Sequence, residues 1–156
     1  MDVIFDLDGT LADASGREHY LSSSPKDWEG FHAASVDDEI IAPIGEIFRS
    51  LNRDNDWTQK PQIELHRIEI WTGREEKYRP DTIRWLQRNG LYGYRKLLMR
   101  PSGDYRKDHE MKAEWLMEFV AAHGKKPDLV FDDRASMVVF WRQQGIICAD
   151  VAGNTF

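Results

Sequence analysis
The opening run Asp2-Val3-Ile4-Phe5-Asp6-Leu7-Asp8-Gly9-Thr10 sets the pattern for the rest of the chain. The short, mostly apolar stretch from Asp2 to Leu7 predicts a buried strand, and Gly9 predicts the turn that stops it. Two aspartates stand where that strand ends. Similar runs follow at intervals. Ile63 to Trp71 reads as a second strand ending at Thr72-Gly73, and Lys96 to Met99 as a third. Leu129 to Phe131 is a fourth, running into Asp132-Asp133, and Ile146 to Val151 a fifth. Helical spacing fills the gaps. Ile44, Ile47, Phe48 and Leu51 follow Pro43, and Arg79 to Asn89 starts beside Pro80 and stops at Gly90. Asp108 to His123 closes at Gly124, and Ala135 to Gln144 closes at Gly145. Proline at the start and glycine at the end are what helix termini favour. Residues 9 to 36 are polar and irregular, and Arg53 to Lys60 reads as a charged loop. Strands alternating with helices predict an α/β fold, with a parallel sheet of about five strands in one domain over residues 1–156. Right-handed crossovers place every strand's C-terminal end on one edge, where such sheets bind ligands.

Composition narrows the classes. The 156 residues hold 21 Lys and Arg against 27 Asp and Glu, a net charge of −6, with 41% apolar and 31% charged residues. That is the profile of a globular protein. No stretch approaches the roughly 20 apolar residues of a membrane helix, so no membrane partner is expected. The N-terminus has neither a basic lead nor a signal-peptide core. The single cysteine, Cys148, has no internal disulfide partner and fits a reducing, cytoplasmic location. The acidic balance argues against coating nucleic acid through bulk charge, although it leaves room for a local phosphate grip.

The polar residues at the strand ends carry the chemistry. In a parallel sheet, Asp6, Asp8, Thr72, Arg74, Asp132 and Asp133 converge on one edge, with Lys112 near the start of the helix preceding the fourth strand. Four carboxylates in one place repel unless a cation sits among them, and hard oxygen donors suit Mg²⁺. Thr72, Arg74 and Lys112 add donors for an anion, so a phosphate bridging metal and donors is the economical reading. Asp6, better fixed at the strand end, is the expected nucleophile toward phosphorus. Asp8, two residues on, is the expected acid for the leaving alkoxide and later the base for water.

These motifs, in order, resemble those of the haloacid dehalogenase superfamily of phosphohydrolases: Asp6 with Asp8, then Thr72, then Lys112, then Asp132 with Asp133. The resemblance implies a Rossmann-like sheet, Mg²⁺ and an aspartyl-phosphate intermediate. Across its length the chain is also similar to the 3′-phosphatase domains of the T-even phage polynucleotide kinase/phosphatase family. The similarity rests on S-G-R (Arg17), T-G-R-E (Arg74), G-D-Y-R-K-D ahead of Lys112, F-D-D-R, and W-R-Q-Q-G-I-I-C. It implies that Arg17, Arg74 and Asp108 belong to the active site, that Thr72, Gly73, Arg74 and Lys112 bind phosphate, and that Asp6, Asp8, Asp132 and Asp133 surround the metal. It further implies action on 3′-phosphorylated DNA or RNA ends, beside a separate kinase and ligase, in the cytoplasm, the host's for a phage-encoded chain. Glu18 to Ser35 matches that family poorly. No G-x-x-x-x-G-K-[ST] occurs, so 5′-kinase activity is not expected from these residues.

Other readings stand beside these. The activity is a 3′-end phosphatase, a phosphatase for nucleotides or small esters, or a module that only binds phosphorylated ends. Asp108 is a helix N-cap or an orienter of the site. Either Asp132 or Asp133 is the direct metal ligand. Trp28, in a polar loop beside Phe31, packs the flap or stacks on a base. The five histidines lack metal spacing and are read as non-catalytic. From Arg95 to Lys107 five basic residues and one acid form a strip of net charge +4, expected near the active edge. Between the first and second strands only a flap remains once the Pro43 helix is set aside. An open site of that kind suits a polynucleotide end.

Overall fold
The sequence's alternation of strand and helix is realised in a computed structural model that describes residues 1–22, 24–54 and 65–152. The chain runs through β1 (Asp2–Phe5), β2 (Ala12–Asp13), a 3₁₀ turn (Ser15–Leu21), α1 (Trp28–Ala33), a second 3₁₀ turn (Ala34–Asp37), β3 (Glu39–Ile40) and α2 (Ala42–Asp54). It continues through β4 (Arg67–Glu75), a third 3₁₀ turn (Glu76–Tyr78), α3 (Arg79–Arg88), β5 (Lys96–Arg100), α4 (Asp108–His123), β6 (Leu129–Asp132), α5 (Ala135–Gln143) and β7 (Ile147–Asp150). The main sheet has the order β5-β4-β1-β6-β7. Every neighbouring pair in it is parallel. The expected α/β fold, with a five-stranded parallel sheet flanked by helices, is therefore observed. The expected start of the second strand at Ile63 lies outside the described residues, as do most of the charged loop and Ser23.

Alternation along each strand builds two cores. Val3 and Phe5 face a cluster with Phe48 of α2 and with Trp85 and Leu86 of α3. Ile4 faces the opposite cluster, with Leu116 and Phe119 of α4 and Met137, Val138 and Trp141 of α5. Burial on both faces is why these strands read as apolar runs rather than alternating ones. β1 ends two residues before the expected Leu7. There the chain folds back, and the Leu7 carbonyl accepts from the Leu11 and Ala12 N–H groups at 2.9 and 2.8 Å. β4 instead runs past Thr72-Gly73, with a register shift against β5 between Thr72 and Glu75.

The stretch expected to be irregular is more ordered than its composition suggests. β2 and β3 pair antiparallel, Ala12 with Ile40. Asp27 caps the short α1 by accepting from the Gly30 N–H at 2.8 Å. The Trp85 indole N–H donates to the Asp38 carbonyl at 2.8 Å, and Arg88 donates to the Val36 carbonyl at 2.6 Å. These bonds moor the flap to α3, above the sheet edge where β1 and β6 diverge.

Candidate active site
β1 and β6 are neighbours, and the chain leaves them toward opposite flanks of the sheet. Their C-terminal ends therefore open the crevice in which α/β sheets hold ligands. Asp6 follows β1, and its N–H donates to the Phe131 carbonyl at 2.9 Å, which extends the ladder by one residue. By alternation Asp6 points to the same face as Ile4, toward α4. Lys112, in the second turn of α4, is only 2% exposed and donates to Asp6 Oδ1 at 2.7 Å and Asp132 Oδ2 at 3.1 Å. It is not a solvated helix residue. The Trp141 indole N–H gives Asp132 Oδ2 a second donor at 3.1 Å. Asp6, Asp132 and Asp133 each present an oxygen, all within 4.8 Å of one another.

Gly9 is needed twice over. Its φ of +83° is the left-handed conformation that glycine adopts freely, and a Cβ there would collide with the Asp133 carboxylate. Thr10 donates to Asp133 Oδ1 at 3.3 Å. Burial pushes the Asp6 carboxyl well above its ordinary pKa; Lys112 opposes the rise, and Asp132 and Asp133 add to it. Asp133 is also pushed up, by burial and then by Asp132. Burial alone would lower the Lys112 pKa, but Asp132 and Asp6 raise it, so the residue stays an ammonium. Three carboxylates thus face one ammonium. Oxygen-only donors, two of which (Asp6 and Asp133) resist ionisation, fit a hard divalent cation such as Mg²⁺.

Asp8 belongs to a different cluster. Arg74 Nε donates to its two oxygens at 2.9 and 3.1 Å, and Arg17 Nη2 adds a further charge-assisted bond. Asp38 closes the group by accepting from Arg17 Nε at 2.8 Å and from Arg74 Nη2 at 3.2 Å. Burial would raise the Asp8 pKa, but Arg74 and then Arg17 hold it down at about 2. Asp8 is therefore a carboxylate in this arrangement.

One cavity of about 620 Å³ opens onto these groups. Asp6, Asp8, Thr72, Gly73, Asp108, Lys112 and Asp132 line it; Arg17 and Arg74 do not. Arg74 was expected on the phosphate. It lies behind Asp8 instead, fully buried and turned toward Asp8 and Asp38. The Thr72 hydroxyl accepts from the Arg74 N–H at 3.1 Å, which leaves its own proton for the cavity. Asp108 is not the N-cap of α4, because Lys107 holds that place. Its carboxylate instead joins Arg100 to Arg134, and both arginines line the cavity.

Sequence reasoning missed Asp38, Arg100 and Arg134 as site residues. Arg134 directly follows the Asp132-Asp133 pair, and Arg100 ends the third strand at the catalytic edge, so both carried a signal. Asp38 carried none. The basic strip also divides differently than expected. Arg100, Arg106 and Lys107 line the cavity. Arg95 and Lys96 sit at the start of β5, at the far end of the sheet. Of the histidines, His32 and His109 line the cavity.

A five-stranded parallel sheet with this acid and lysine constellation at its switch point defines a phosphatase of the haloacid dehalogenase superfamily. Residues 1–156 match the family described as the polynucleotide kinase PNKP phosphatase domain, and the chain belongs to that family. A chain of the Pnkp1/Rnl/Hen1 RNA repair complex is similar at 28% identity and TM-score 0.75; the match covers 96% of this chain and 42% of that one. The chain thus spans less than half the length of that relative. A haloacid dehalogenase-like hydrolase of Streptococcus pneumoniae shares the fold at 13% identity and TM-score 0.62, over 96% of this chain and 83% of that one. Among the described residues no helix is long and apolar enough to cross a membrane.

Proposed function
We propose that the chain is a Mg²⁺-dependent phosphomonoesterase that removes 3′-phosphate from DNA or RNA ends through a covalent intermediate on Asp6. The observation that carries this reading is the meeting of Asp6, Lys112 and Asp132 in a cavity that Arg100, Arg106 and Lys107 also line, with Asp133 beside the two carboxylates. Lys112 engages Oδ1 of Asp6, so Oδ2 is the oxygen left for the attack on phosphorus in this reading. The P–O bond to the sugar breaks as the Asp6 oxygen bonds to phosphorus, and the leaving 3′-oxygen takes a proton. Thr72 and Lys112 donate to the phosphoryl oxygens as charge builds on them. Asp6, Asp132 and Asp133 would hold Mg²⁺, which neutralises phosphoryl charge when bound. Asp8 is the group beside Asp6 for proton transfer. Its ionised form is the base that water requires in the second step, and its acid form in the first step requires the Arg17 and Arg74 clamp to loosen. Arg17, Arg74 and Asp38 therefore act through Asp8, while Asp108 holds Arg100 and Arg134 at the cavity wall.

Family membership and the likeness to a chain of an RNA repair complex support nucleic-acid ends as the substrate, with a kinase and a ligase as separate partners. The test is a panel of one oligonucleotide carrying either a 3′- or a 5′-phosphate, together with the matching mononucleotides, with and without chelator. Preference for the 3′-phosphate oligonucleotide, abolished by chelator and restored by Mg²⁺, is expected. Preference for 5′-phosphate or free nucleotides would overturn the reading.

A further inference from the structure
We propose that Trp28 is the platform on which the base of the 3′-terminal nucleotide stacks while its phosphate reaches Asp6; this rests on the phosphatase reading above. Five tryptophans are described. Trp71, Trp85 and Trp141 are buried and Trp115 is partly buried, whereas Trp28 is 50% exposed. Of these five, Trp28 is the indole whose ring stands half open to water. What lies next to it is the catalytic cavity, which Trp28 lines together with Leu21, Phe31 and His32, and which Arg100, Arg106 and Lys107 also line. One continuous space thus has a reacting end, an aromatic wall and a basic wall, which matches phosphate, base and backbone.

The platform is braced. Phe31 meets the Trp28 ring edge-on, at 5.9 Å and 81°. His32 lies nearly parallel to it, 6.1 Å away and 26° inclined. Lys26 places its ammonium 5.7 Å from the indole centroid, adding positive potential beside the ring. Below, the Arg17 guanidinium sits 4.1 Å from the Phe31 ring and donates to the Phe31 carbonyl at 3.1 Å. Since Arg17 also holds Asp8, the aromatic wall is fixed relative to the reacting end. Aromatic rings accept any base, so the platform selects for the presence of a base and not for its identity.

The test compares two substrates that differ only at the last residue. Both are oligonucleotides with a 3′-phosphate, one ending in an ordinary nucleotide and the other in an abasic tetrahydrofuran residue. For the unaltered protein, KM on the base-bearing end should be lower by roughly 5- to 100-fold. Trp28→Ala should erase that ratio, and Trp28→Phe should keep part of it. Equal KM values for the two substrates, or an equal rise for both on Trp28→Ala, would overturn the platform. Binding is measured separately by equilibrium titration of the Asp6→Asn variant with the same oligonucleotides. A base-dependent affinity lost on adding Trp28→Ala upholds the platform even where neither end is hydrolysed, an outcome that would sink the 3′-phosphatase reading alone. Base-independent affinity would remove the platform whatever the activity.

Discussion
Asp6 and Asp8 are two residues apart and sit in opposite electrostatic situations. Around Asp6, three carboxylates gather, and two of them, Asp6 and Asp132, share the ammonium of Lys112. Around Asp8, two carboxylates meet two guanidiniums. The first cluster is short of positive charge, and its Asp6 and Asp133 resist ionisation. The second is internally balanced, so Asp8 stays ionised and Arg17 and Arg74 are not offered to the cavity. The contrast teaches that a basic residue next to a candidate phosphate site need not face it. Whether it does is decided by the carboxylates that reach it first.

The sharpest way to break this contrast is at Asp6. Asp6→Asn should lower phosphate release by about four orders of magnitude or more, because an amide is a poor nucleophile toward phosphorus. Acid-quenched reactions with labelled substrate should leave label on the unaltered protein and none on the variant. Turnover within tenfold of the unaltered protein would discard the covalent mechanism.

Leaving-group dependence sharpens the other half. Asp8→Asn should cost roughly 10²- to 10⁴-fold on a natural 3′-phosphate end, whose alkoxide needs a proton. On an activated aryl phosphate the loss should be much smaller. Arg74→Lys should follow the same pattern, more weakly, because Arg74 holds Asp8. If Arg74 instead gripped the reacting phosphoryl group, both substrates would lose rate equally. Such a result would restore the role first expected for it.

Asp8 on one side and Asp6 with Asp133 on the other should also respond to pH with opposite signs, while Asp38, raised by burial, follows Asp6. The folded pKa of Asp8 is about 2, below the ordinary 3.9 or so of an unfolded chain, so its contribution is present above pH 4 and lost as pH falls toward 2. That contribution is about 2–3 kcal/mol. Asp6 and Asp133 are raised, so without metal they favour the folded state at low pH and lose that contribution as pH rises from about 4. Mg²⁺ at 100 times its Kd should add about 2.7 kcal/mol near pH 8, and less toward pH 4 as protons compete. Urea unfolding across pH, with and without Mg²⁺, measures this. A gain from Mg²⁺ that does not change with pH would contradict the acid-rich cluster.

Much of this was legible because it is local. A strand end, a glycine and a carboxylate lie within a few residues, and Asp6, Thr72, Lys112 and Asp132 each sit on or directly after an element whose apolar run or helical spacing shows in the sequence. The Asp8 clamp was not legible. Asp38 lies 21 residues from Arg17 and 36 from Arg74, between a short 3₁₀ turn and a two-residue strand. Elements that short have no period to read. Nor does a residue list show that Arg74 points behind Asp8, since that follows from which carboxylate the folded flap delivers.

The smallest expected effect concerns the outer wall, where the same competition for carboxylates operates. Arg100 and Arg134 are held by Asp108, and Arg106 by Asp104 and Glu114. Lys107 is exposed and lines the cavity, and among the described residues its ammonium forms no ion pair, its backbone N–H alone reaching the Glu110 carboxylate. An engaged guanidinium releases few counterions when a phosphate arrives, because its charge is already neutralised. Lys107 should therefore supply most of the salt dependence, about one phosphate contact, or a slope near −0.7 in log affinity against log salt for a single strand. Lys107→Gln should flatten that slope for oligonucleotides and leave the salt response of mononucleotides unchanged. Lys96→Gln, at the far end of β5, should change neither. A slope that depends on Lys96 as strongly as on Lys107 would mean that the strand runs the length of β5 rather than leaving at the cavity mouth. A slope untouched by Lys107→Gln would mean that the paired arginines exchange their carboxylates for phosphate after all, and the rule drawn from Arg74 would not extend beyond the buried clamp.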